Sequence, residues 1–145
     1  MPEKDLLRFL EAQNQMYLTA LSEIKKGSKK SHWMWFIFPQ LRGLGTSENA
    51  NFFGISGLSE ARLYLGHPVL GKHLIEISQA LLEVKGKTAS EIVGTPDDLK
   101  LRSCMTLFAS LENTHPVFEQ VLARFFAGTH DPLTLSLLEK NHETL

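Results

Sequence analysis

The feature that most constrains this chain is its punctuation. Short hydrophobic stretches with helical spacing are cut repeatedly by glycine, proline and capping residues. Leu6, Phe9, Leu10, Gln13, Tyr17, Ala20, Leu21 and Ile24 recur at three- and four-residue intervals, which places them on one helix face. Gly27 is a natural stop for that helix, and Lys25 and Lys26 suit the negative end of its dipole. Thr46 or Ser47 can cap a short helix through Phe53, and Ser56 can cap the next, which ends near Gly66. Pro68 suits the first turn of a longer helix carrying Leu70, Leu74, Ile77, Leu81 and Leu82. Thr88 and Glu91 have capping-box spacing.

Further on, Thr95, Pro96, Asp97 and Asp98 read as a helix start: a cap, a proline, then two acids at the positive end. That helix is expected to present Leu99, Met105, Leu107 and Phe108. Pro116 opens another through Phe118, Val121, Leu122 and Phe125, stopped by Gly128, and Asp131 with Pro132 opens a last one with Leu135 and Leu138. No stretch alternates for long and no Asn-Gly or Asp-Gly hairpin dipeptide occurs. The fold class is therefore mainly α: a compact single domain over residues 1–145, of about seven or eight helices, several short, with at most a minor strand pair. The doubtful segment is 33–38. Its unbroken apolar run fits a buried helical turn, capped by Ser31 and ending before Pro39, or one strand of a pair.

Bulk properties narrow the function class. A length of 145 residues fits one domain with a real core, and a net charge of −1 gives no general attraction to nucleic acid or acidic membranes. The longest apolar run, Trp33 to Phe38, falls far short of the roughly 20 residues a membrane span needs. The acids Glu3, Asp5 and Glu11 are unlike a signal peptide. Cys104 is the single cysteine, so no intramolecular disulfide can form. A soluble cytoplasmic protein is expected, with no nucleic-acid or membrane partner; the oligomeric state is not legible.

Chemistry concentrates in Lys29 to Gly45, "KKSHWMWFIFPQLRGLG". Aromatic faces stack on planar groups, cations attract phosphate, and glycines let backbone approach a ligand. Trp33 and Trp35 are thus either core or the wall of a site for a nucleotide-like molecule. His32 and Gln40 flank the apolar run and need partners if buried. Arg42, one step outside, is either a surface charge or an anion contact. In "PDDLKLRSC", Asp98 and Arg102 have the spacing of a helix ion pair, while Lys100 and Arg102 point to different faces, so one of them can turn inward. Glu60, in "LSEARLYL", is either solvated or a catalytic carboxylate in a pocket.

Other site types are disfavoured. His32, His67, His73, His115, His130 and His142 show no His-x3-His or His-Glu-x2-His spacing, so neither a metal nor another cofactor is expected. His67 and His115 each precede a proline and read as helix-boundary residues. Cys104 reads as an inert buried thiol. GxGxxG, GxxxxGK[ST] and GxSxG are all absent.

"SHWMWFIFPQLRGLG", "GHPVLGKHL", "GTPDDLKLRSCMTLFA" and "FFAGTHDPLTLSLL" closely resemble the bacterial domain-of-unknown-function family 1810, from Arg8 to Leu138. The resemblance implies a compact, mainly helical domain and implies little about activity. Its members are sometimes labelled calpastatin, which nothing in these residues supports. A weaker similarity links "FFGISGLSEARLYL", "HPVLGKHL" and "DDLKLRSCMTLF" to the NADAR family, which acts on N-glycosidic bonds of ADP-ribose-like or riboflavin-pathway compounds. That similarity implies a metal-independent N-glycosidase with Glu60 activating water, Trp33 or Trp35 stacking, and Lys100, Arg102 or Arg42 on phosphate. Ala61 stands where that family carries histidine, and Met105 falls one position late. The competing reading is a non-enzymatic interaction module, with the aromatic segment as core or partner surface.

Overall fold

The structure, a computed structural model, describes the backbone of residues 2–140 and the side chains of 6–140. His142 and the side chains of Glu3 and Asp5 lie outside the described residues. Among the described residues nine α-helices follow one another: α1 (Pro2–Lys25), α2 (Met34–Ile37), α3 (Glu48–Phe53), α4 (Leu58–Gly66), α5 (Leu70–Glu83), α6 (Ala89–Val93), α7 (Asp97–Ala109), α8 (Val117–Phe126) and α9 (Pro132–Lys140). They form an all-α single domain in which α5 packs against α1, α4 and α8, and α7 packs against α8.

The expected face of α1 is the observed one: Leu6, Phe9, Gln13, Tyr17, Ala20, Leu21 and Ile24 are buried, and Leu10 is half-buried at the edge of the core. Its Phe9 begins a run of aromatic contacts that crosses the core. Phe9 meets Tyr64 of α4 edge-on at 5.0 Å, Tyr64 meets Phe108 of α7 at 5.4 Å, and Phe108 meets Phe118 of α8 at 5.7 Å. These separations lie in the favourable range for tilted rings, so four helices are joined through four side chains. Where α4 hands over to α5 the backbones nearly touch. A Cβ on Gly71 would lie 1.9 Å from the Leu65 carbonyl oxygen, so only glycine fits there.

Local signals set most helix boundaries. The Ser47 hydroxyl accepts the Ala50 N–H at 3.1 Å, and Thr88 with Glu91 forms the expected capping box. The two His-Pro-Val tripeptides act alike: His67 Nδ1 accepts the Val69 N–H at 3.1 Å, and His115 Nδ1 accepts the Val117 N–H at 3.0 Å. Each histidine therefore satisfies a donor at the entry to α5 or α8.

Of the two readings open for 33–38 the helical turn is the one formed, over residues 34–37, and the one β feature among the described residues is the isolated parallel bridge between Leu41 and Ile55. Other boundary expectations are corrected. Ser31 does not cap α2; its hydroxyl donates to Glu23. Gly57, not Ser56, precedes α4, and Pro68 lies two residues ahead of α5. Thr95 pairs with the Ser90 hydroxyl and leaves Pro96 at the boundary of α7. Leu99 and Leu135 face outward, since the buried positions of α7 begin at Leu101 and Thr134 is the buried residue of α9.

Candidate functional site

The aromatic segment is positioned by a single carboxylate. Glu23, near the end of α1, accepts the Lys30 N–H at 2.8 Å, the Ser31 N–H at 3.0 Å, the Ser31 hydroxyl at 2.6 Å and the Trp33 indole N–H at 2.9 Å. Partial burial opposes ionisation, but these donors outweigh it and hold the carboxyl down at about 2. Trp33 is fully buried and its polar atom is satisfied internally. Packing accounts for it, whereas Trp35, two residues on, is only half-buried.

Trp35 marks where the segment meets α7. The Lys100 ammonium lies 5.1 Å from the centre of its ring and 3.6 Å from Asp97. Asp97 also holds Lys29 at 3.0 Å, and Lys29 in turn lies 5.2 Å from the Trp33 ring. One carboxylate thus faces two ammonium groups, each beside an indole. Lys100 and Gln40 line a crevice of about 10 Å³ with Trp35, Phe53 and Gly54, and also a neighbouring cavity of about 270 Å³ with Arg102, Ser103, Asp131, Leu99 and Leu133. The first is the size of one water; the second sits just below the usual range for small-molecule pockets, about 300–1,000 Å³.

The far wall is fixed by Asp131. Its carboxylate accepts from Ser103 at 2.9 Å, from the Thr134 N–H at 3.1 Å and from the Thr134 hydroxyl at 2.5 Å, while its own N–H donates to Thr106 at 2.8 Å. Arg102 fastens the same turn by donating to the Thr129 and His130 carbonyls at 3.2 and 2.7 Å. Gly45, on the opposite rim, is glycine for packing: a Cβ there would lie 2.8 Å from Ala50 Cβ.

Of the sequence-predicted residues, Gln40 and Lys100 line both hollows, Trp35 lines the crevice alone and Arg102 the larger cavity alone. The others lie elsewhere. His32 is exposed, and Arg42 is exposed with its Nε donating to the Asn51 carbonyl at 3.1 Å. The expected Asp98–Arg102 pair is not formed, because Arg102 is committed to the α9 turn and Asp98 accepts the Leu99 N–H at 2.9 Å. Asp97 is the acid that pairs. Glu60 is buried and gripped by Arg8 through two contacts of 3.2 and 3.3 Å, and it accepts the Ser56 N–H at 2.8 Å. Arg8 also donates to the Phe52 and Gly54 carbonyls, so the Glu60 carboxylate completes a clamp on the 52–56 turn and lines neither hollow.

A second polar cluster escaped the sequence reading. Gln13 and Tyr17 of α1 face His73 and Glu76 of α5 across a groove. The spacings, four on one helix and three on the other, are visible in the sequence; the pairing of the two helices is not. Cys104 is buried and unpaired, and burial pushes its thiol well above the usual range, as an inert core residue requires. Among the described residues no group of three or more His, Cys, Asp or Glu is placed to hold a metal ion, and no helix is long and apolar enough to cross a membrane.

Comparisons with known proteins agree on kinship. The model of the family described as "Protein of unknown function (DUF1810)" matches residues 3–138. The crystal structure of the conserved hypothetical protein Rv1873 from Mycobacterium tuberculosis is similar at 47% identity and a TM-score of 0.91, covering 93% of this chain and 96% of that one. No curated protein matches significantly. Neither match bears on the NADAR similarity.

Proposed function

The chain belongs to the DUF1810 family, and from that premise we propose that the two hollows joined at Gln40 and Lys100, the crevice beside Trp35 of α2 and the cavity between residues 40–45, α7 and the start of α9, together bind a small, planar, anionic ligand of the nucleotide kind. The observation that carries this reading is Lys100. It lines both hollows, lies over the Trp35 face, and shares Asp97 with a second lysine, so its charge is incompletely matched by that one carboxylate. An arriving phosphate or carboxylate completes the match, while a planar ring finds Trp35 and the Gln40 amide. The cavity of about 270 Å³ suits a nucleoside monophosphate or a base-sized fragment better than a whole ADP-ribose.

The reading is one of binding. Hydrolysis of an N-glycosidic bond needs a carboxylate free to orient water, and Glu60 is held by Arg8 and Ser56. A partner-protein surface is the second reading, favoured by Leu99 and Leu133, which are 56% and 66% exposed on the rim.

Thermal-shift and calorimetric titration with nucleoside monophosphates, ADP-ribose and NAD test the proposal. A mononucleotide is expected to raise Tm and to quench Trp35 fluorescence, with both effects lost in Lys100→Gln. No stabilisation by any member of the panel overturns it.

A further inference from the structure

Where α1 passes α5, four side chains form one hydrogen-bonded chain. Gln13 is buried and its amide nitrogen donates inward, to the Phe36 carbonyl at 2.8 Å and to the Tyr64 hydroxyl at 2.9 Å. A carbonyl can only accept, so the orientation of the amide is determined. Its oxygen therefore faces His73 Nδ1 at 2.8 Å, and that nitrogen carries the hydrogen. The neutral ring is thus the Nδ1–H tautomer, with its lone pair on Nε2.

The ring plane is fixed as well. Tyr17 stacks on His73 with centres 3.6 Å apart and planes inclined by 7°. The Tyr17 hydroxyl donates to Glu76 and approaches the His73 carbonyl at 3.3 Å. Partial burial lowers the His73 pKa; Glu76 opposes this and Lys72 adds to it. Burial and Glu76 raise that of Tyr17, so the phenol stays protonated. The charged and titratable groups around the imidazole are Lys72 and Glu76 on α5, with Tyr17 and Glu11 on α1.

Nε2 of this clamped, neutral imidazole takes no hydrogen bond among the described residues. His73 lines two adjoining hollows, of about 410 and 550 Å³. The larger is bordered by Glu76, Asn14 and Lys72, and by apolar surface from Val69 and Leu18, which are 43% and 79% exposed.

We infer that this groove is a second binding site, for a neutral, hydroxyl-rich molecule of the sugar or polyol class, with one ligand O–H donating to His73 Nε2. The wall offers both kinds of group: His73 Nε2 and Glu76 accept, Lys72 donates, and the Asn14 and Gln15 amides do either, which suits hydroxyls that donate and accept in turn. Within the larger hollow Lys72 and Glu76 offset one another, so that wall recruits no ion, and Glu11 in the adjoining hollow turns anions away. Leu18 and Val69 suit the C–H face of a sugar ring, and about 550 Å³ lies within the range of small-molecule pockets.

The test is NMR of the histidine rings in the intact chain, titrated with D-ribose, D-glucose and glycerol, with ethanolamine as a charged control. The free protein is expected to show His73 as the Nδ1–H tautomer. A sugar of the panel is expected to shift its Nε2 resonance, with affinity at least tenfold weaker in His73→Gln and unchanged in Lys100→Gln. Binding is expected to weaken as pH falls and His73 takes up a proton. An Nε2–H tautomer, no His73 shift with any of the three hydroxyl compounds, or a response to ethanolamine alone overturns the inference. The wild-type spectra decide this even if the His73 variant fails to fold, and a negative result leaves the Lys100 cleft untouched.

Discussion

Trp33 and Glu23 are joined across 2.9 Å, indole N–H to carboxylate, and the same carboxylate gathers the backbone of Lys30 and Ser31. The end of α1 thereby dictates where the aromatic segment begins. Removing the acceptor leaves a buried indole N–H without a partner.

Glu23→Ala is therefore expected to lower stability by about 2–4 kcal/mol in urea unfolding, since charge-assisted bonds are stronger than neutral ones and an orphaned buried donor adds its own cost. The same group gives an acid dependence. Its pKa is lowered on folding from 4.5 to about 2, so the unfolded chain binds the proton more readily. Its contribution is complete above pH 4.5 and is lost as pH falls toward 2, and the Glu23→Gln variant is expected to lose that part of the pH dependence.

The two tryptophans are expected to behave differently. Trp33 is fully buried and Trp35 half-buried beside Lys100. Trp33→Ala is expected to cost about 3–5 kcal/mol by emptying the core. Trp35→Ala is expected to cost about 1 kcal/mol, as for a partly exposed site. Acrylamide is expected to quench the fluorescence of the Trp33→Phe variant, which retains Trp35, far more than that of the Trp35→Phe variant. Equal quenching of the two would contradict the assigned burial.

Glu60 and Arg8 form an ion pair whose side chains are 8% and 9% exposed. Glu60→Gln replaces charge-assisted bonds to Arg8 and to the Ser56 N–H by neutral ones, so it is expected to cost about 1.5–3 kcal/mol. Nucleotide affinity at the Trp35–Lys100 cleft is expected to be unchanged in that variant. A variant of normal stability that had lost a hydrolytic activity would restore Glu60 as a catalytic residue.

The sequence by itself determined the helices, the buried face of α1 and several boundaries. These are short-range matters: hydrophobic period, a Ser47 hydroxyl three residues from its N–H, a glutamate three residues from Thr88. It also carried the family kinship, in the motifs around Trp33–Gly45 and Pro96–Cys104. It misjudged Ser31 and Thr95, whose hydroxyls found partners other than the adjacent helix. Only the tertiary structure decided which polar groups meet. Arg8 reaches Glu60 across 52 positions and His73 reaches Gln13 across 60. Spacing along the chain cannot encode such pairs, because they depend on how α1 lies against α4 and α5. For the same reason Asp97 rather than Asp98 became the paired acid: both suit the start of α7, but Asp97 is the one within reach of Lys29, whose backbone N–H is held by the Ile92 carbonyl at 2.7 Å.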